Sequence, residues 1–101
     1  MILRVHRHGK DTVVAACDED ILDKIFKCGE LRIHVSKKFY GDEAVAEKDL
    51  IAALRACTSA NLVGSETVGI AIRAGFIQRD CVMQIGDVPH AQLYKLSGQG
   101  P

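Results

Sequence analysis

The chain has 101 residues, 48% of them hydrophobic and 26% charged, and its 13 basic side chains balance 13 acidic ones to a formal net charge of zero. That content excludes a disordered chain, and the length suits one domain with a core of its own. A neutral chain also offers nucleic acid no global attraction, because such affinity comes from Lys and Arg displacing counterions from phosphate; only a local patch could serve.

Residues 2–8 and 12–17 are β-rich runs separated by Gly9-Lys10-Asp11, the composition of a hairpin loop. Asp18 then reads as the N-cap of a helix carrying Ile21, Leu22, Ile25 and Phe26 on one face. Lys24 and Lys27 lie in its last turn and Gly29 just beyond, the order that the helix dipole and a left-handed cap favour. Leu31, Ile33 and Val35 alternate with Arg32, His34 and Ser36, which predicts a strand over 30–36, and Phe39-Tyr40-Gly41 reads as its kinked exit.

From Glu47 the stripe Leu50, Leu54, Cys57 and Asn61 predicts a helix running to about Leu62. Gly64 would be its left-handed cap and Ser65 the N-cap of a third helix, with Val68, Ala71 and Ile72 on one face and a stop at Gly75. Residues 82–85, the turn Gly86-Asp87-Val88-Pro89 and residues 90–96 read as strand, turn, strand, with 97–101 a frayed tail. The expected fold is one α+β domain over 1–96, its terminal hairpins joined in a mostly antiparallel sheet covered by about three helices. No run approaches the roughly 18 apolar residues of a membrane-crossing helix, and no export-type segment opens the chain. A cytoplasmic protein without a membrane partner is expected.

Cys17, Cys28, Cys57 and Cys81 are too widely spaced for the paired knuckles of a structural zinc site, and in a reducing cytosol they are expected as free thiols. Each sits among small or apolar neighbours and is read as a buried, inert hydrophobe; Cys17 is the first candidate if one is reactive. No cofactor is expected.

The residues that could carry function are few. Arg4, His6 and His8 share one face of the first strand by the period of two, as Arg32 and His34 do on the third run, so a cationic face forms if these strands are neighbours. Such a face could hold RNA phosphates, or three imidazoles could meet a metal, but a plain solvated surface is the simpler reading, and no metal site is assigned. Helix, Gly64-Ser65, helix has the outline of a helix-turn-helix. Its third helix, however, offers only Glu66 and Arg73 as charged residues, which excludes sequence-specific DNA readout.

Asn61 occupies a hydrophobic place on its stripe, and a buried amide needs partners: backbone in the next turn, or a ligand beside Gly64 and the helix start at Ser65. His90 follows Pro89 and shares a strand face with Gln92; it either bonds across its own turn or acts as a general base, the one weak catalytic candidate.

Ala15-Ala16-Cys17-Asp18, Phe39-Tyr40-Gly41, Ala60-Asn61-Leu62-Val63-Gly64 and Gly86-Asp87-Val88-Pro89-His90-Ala91-Gln92 resemble the archaeal family catalogued as domain of unknown function 424, over residues 1–96. The resemblance implies an archaeal, cytoplasmic, single-domain α+β protein and carries over no activity or site residue. The leading expectation is a noncatalytic module for RNA or a ribonucleoprotein, through Arg4, His6, Arg32 and His34 and the Asn61–Ser65 and Pro89–Gln92 turns. One alternative is an enzyme or sensor holding an anion near Ser65 and His90. The other is a protein-interaction domain or homodimer joined through an open edge strand.

Overall fold

The computed structural model describes residues 1–95; Leu96 and the tail expected over 97–101 lie outside the described residues. β1 (Ile2–His8) and β2 (Asp11–Cys17) form the expected hairpin, with Ile2 opposite Cys17 and His8 opposite Asp11. β6 (Met83–Ile85) and β7 (Val88–Tyr94) form the second, closed by Gly86 at a φ of 62°. What joins them is β5 (Ser59–Val63), parallel to β2 and antiparallel to β7, giving the order β1-β2-β5-β7-β6.

β5 corrects the sequence reading. The helix α2 (Glu47–Ala56) starts where predicted, with the Asp49 carboxylate accepting from Ala46 N at 2.9 Å, but ends six residues early. Its last carbonyls are not closed by a following glycine. Lys95 reaches across from the end of β7, and its Nζ donates to Leu54 O and Arg55 O at 2.7 Å each. From Thr58 the backbone pairs sideways instead, Thr58 N with Thr12 O and Lys95 N with Thr58 O, both at 2.8 Å. Ser59–Val63 thus alternates its side chains and leaves the helical stripe, so Asn61 faces away from Ala60 and Leu62.

The segment after Asp18 departs further from expectation. Instead of a helix over 19–28 the chain makes a single 3₁₀ turn at Glu19–Ile21 and then β3 (Ile25–Cys28), which pairs antiparallel with β4 (Leu31–His34). Asp23 lies at a φ of 68°, outside any right-handed helix, and its N–H donates to Val35 O. Gly29, at a φ of 62°, opens the hairpin turn where a helix cap was read. Apolar pairs at 21/22 and 25/26 fit both periods, and the strand partner 31–34 decides between them.

The two faces of the sheet carry separate cores. On one, Val14, Ala16, Ala60, Leu62 and Ala91 pack against Leu50 and Leu54 of α2 and Val68 and Ala71 of α3 (Ser65–Arg73). On the other, Ala15, Cys17, Val63 and Val88 are covered by Val35, by Phe26 and Ile33 of the β3–β4 ribbon, and by Phe39 and Tyr40 of the short helix α1 (Lys37–Tyr40). Strand alternation is what sorts residues 14/16 from 15/17 and 60/62 from 61/63. α1 occupies what the sequence presented as a kinked exit; Ser36 caps it by accepting from Phe39 N, and Gly41 ends it at a φ of 80°.

Candidate functional site

The expected cationic face does not assemble. Arg4 and His6 stand on the five-stranded sheet, while Arg32 and His34 belong to the separate ribbon. Arg4 Nη1 donates to Lys38 O at 3.0 Å, His6 Nε2 lies 2.8 Å from Phe39 O, and the His6 ring stacks on Phe39 at 4.9 Å between centroids. These two side chains therefore fasten α1 to β1, while His8 is exposed beyond them. Among the described residues no group of three His, Cys, Asp or Glu could hold a metal.

Arg32 and His34 do lie on one face, that of the ribbon. Phe26 and Ile33 point to the core, so Ile25, Lys27, Arg32 and His34 point out, and all four are exposed. Lys27 sits directly opposite Arg32, and Ile25 opposite His34. None of the three ion pairs among the described residues involves them. Lys27 escaped the sequence reading because it was placed on a helix; its cross-strand relation to Arg32 exists only in the hairpin.

Of the turn residues, Asn61 and Gln92 meet. They are register partners on β5 and β7, and Gln92 Nε2 donates to Asn61 Oδ1 at 3.0 Å. His90 lies on the same face, opposite Val63 and Met83, half buried, and burial pushes its imidazole pKa down, which keeps it neutral. Two residues beyond Gln92, Tyr94 stands 71% exposed on that face, where the ribbon and α1 do not reach. It is an aromatic the sequence reading missed, although the same period of two that pairs His90 with Gln92 includes it.

Ser65 and Pro89 are on the other side, sharing a shallow hollow with Val68, Gly69, Ile72 and Arg79. Gly64 N donates to Pro89 O at 2.9 Å, so the glycine-proline contact belongs to the fold. The start of α3 is also occupied. Asp18 Oδ2 accepts from Glu66 N at 3.1 Å, and Asp18 Oδ1 accepts from Thr67 N at 2.8 Å and Thr67 Oγ1 at 2.7 Å. The amides that could have received an anionic ligand hold the chain's own carboxylate, and Ser65 lies on the α3 side of the sheet while Asn61 and His90 share the opposite face. Gly64, at a φ of 110°, is the residue before this helix rather than the cap of the one preceding it.

The cysteines divide. Cys17 and Cys57 are buried; Cys28, on β3, and Cys81 are exposed, against the expectation for both. Burial, with Asp18 nearby, pushes the Cys17 thiol up to about 11, so the first sequence candidate for reactivity is the least suited to it. Burial likewise raises Cys57, whose Sγ donates to Leu54 O at 3.3 Å. At pH 7 a thiol reagent is expected to modify two cysteines in the native protein and four in denaturant. Rapid native modification at Cys17 would contradict this packing. Since Cys17 ionises more readily unfolded, its contribution to stability is complete below about pH 9 and is lost as pH rises toward 11.

A small α+β domain with cores on both faces of a five-stranded sheet and a basic two-stranded ribbon laid over one of them is the class this geometry defines. The chain belongs to the family described as Protein of unknown function (DUF424), whose model matches residues 6–96. Its fold is similar to that in the crystal structure of an uncharacterized conserved protein from Methanopyrus kandleri, an archaeon, at 25% identity and a TM-score of 0.76, over 99% of this chain and 97% of that one. No curated protein matches the chain. No helix among the described residues is long and apolar enough to cross a membrane.

Proposed function

We propose that this protein is a noncatalytic module that binds single-stranded RNA, with the outer face of the β3–β4 ribbon as its phosphate contact. The observation that supports it is the facing pair Lys27 and Arg32. Like charges directly opposite on a ladder weaken the pairing, and no carboxylate among the described residues forms an ion pair with either. A phosphate chain laid across both would turn that repulsion into attraction, with the Arg32 guanidinium suited to bidentate contact. The uncovered part of the sheet face supplies groups suited to bases: the Tyr94 ring for stacking and the Asn61–Gln92 amides for a polar edge.

Fluorescence anisotropy with a short single-stranded RNA tests this. Two phosphate contacts predict a slope of about −1.4 in log K against log salt, falling toward zero in a Lys27→Glu, Arg32→Glu double variant. Tyr94→Ala should cost about 1–3 kcal/mol of binding and leave the salt slope unchanged. Absence of binding at low salt, or a double variant that binds as well as the parent, would sink the reading.

A further inference from the structure

β1 is an edge strand, and an edge strand turns the backbone groups of every second residue toward whatever lies beside it. In β1 that outward set begins with Met1, whose carbonyl accepts from Val45 N at 2.9 Å, and Leu3, whose N–H donates to Glu43 O at 3.1 Å; Ile2 and Ala44 form the antiparallel bridge between them. The chain thus lays its own extended segment on the first residues of its edge and then leaves. Leu3, Arg4, Val5, Asp42 and Glu43 line a hollow of about 350 Å³ where that segment comes onto the edge. By alternation the N–H and C=O of Val5 and Arg7 also point outward, and no backbone partner among the described residues meets them.

We infer that the Val5–Arg7 edge docks an acidic, extended segment of a partner protein, extending along β1 the pairing that Glu43–Val45 makes with Met1–Leu3. The site is separate from the RNA contact on the ribbon and does not depend on it. Charge selects the occupant at the far end of this edge, past the Glu43 carboxylate and past Asp42, which pairs with Lys37. β1 contains Arg4, His6, Arg7 and His8 with no acidic residue, and Lys10 follows. Arg4 and His6 are engaged with α1, which leaves Arg7 and His8 exposed and outside the ion pairs among the described residues. A second copy is a poor occupant, because any antiparallel self-pairing centred on Val5, His6 or Arg7 sets an arginine or histidine of one strand against another of the same set. The complementary strand carries an apolar residue opposite Val5 and, on the same face, a carboxylate opposite Arg7.

The test uses the full ¹⁵N-labelled chain and two capped eight-residue peptides, one repeating Val-Val-Glu-Glu and the other Val-Val-Lys-Lys, so that each strand face carries apolar and charged residues in turn. The Val/Glu peptide should shift the amide signals of Val5 and Arg7 and slow their hydrogen exchange, and the Val/Lys peptide should not. Arg7→Glu should weaken the Val/Glu peptide by about tenfold without changing Tm. Val5→Pro, which removes a donor no intramolecular bond uses, should weaken it while a folded spectrum is retained. The inference is overturned if neither peptide binds, if both bind alike, or if the shifted amides lie on the β3–β4 ribbon. Single-stranded RNA shifting the Val5 and Arg7 amides would assign the edge to nucleic acid and overturn it equally.

Discussion

Replacing Gly64 with alanine is expected to destabilise the protein by about 3 kcal/mol or more, read as a fall in Tm of about 12 °C or more. Two independent costs add. At a φ of 110° and a ψ of 150° the backbone occupies a region that is essentially glycine's alone, worth about 1–3 kcal/mol to any other residue. A Cβ built there would also stand within 2.6 Å of both Asp18 carboxylate oxygens. Asp18 cannot swing aside without releasing three hydrogen bonds, one of them from the hydroxyl of the fully buried Thr67. Thermal melts of Gly64→Ala measure the sum. A shift of only a degree or two would mean that this turn has more room than its geometry shows.

Asp18→Ala is the second large effect, expected at about 2–4 kcal/mol. It removes the acceptor for Glu66 N, Thr67 N and Thr67 Oγ1 together, and hydrogen bonds to a charged acceptor contribute about 1.5–3 kcal/mol where their partners are left unsatisfied. It also removes a negative charge from the start of α3, where the helix dipole favours one. Asp18→Asn, which keeps an acceptor but loses the charge, should fall between. The two positions are coupled: in an Asp18→Ala background Gly64→Ala should cost only the backbone strain, about 1–3 kcal/mol. A double-mutant cycle in urea therefore predicts a sub-additive sum, and strict additivity would contradict the contact.

Asp18 shows why the candidate site was only partly legible. As an acidic residue ahead of an apolar run it reads as a cap, and it is one, but for a helix that begins at Ser65. The requirement it meets is general, since the first amides of any helix need acceptors, but which acceptor arrives is set by β2 ending beside β5. Lys95 repeats the case at the C-terminal end of a different helix, α2. For the same reason Lys27 and Arg32 could not be recognised as a facing pair while residue 27 was placed on a helix. Arg4 and His6 were read as surface chemistry when their acceptors are carbonyls of α1.

The sequence by itself determined the two terminal hairpins, the starting points of α2 and α3, and the positions at Gly29, Gly64 and Gly75 where φ is positive, because turn composition, first-turn acids and glycine act within a few residues of themselves. Only the tertiary structure decided that residues 25–28 and 59–63 are strands. Both segments are short, their apolar residues satisfy either periodicity, and the hydrogen bonds that settle the matter come from β4 in one case and from β2 and β7 in the other. Those partners lie too far along the chain, or face too ambiguous a pattern, for local preference to choose them.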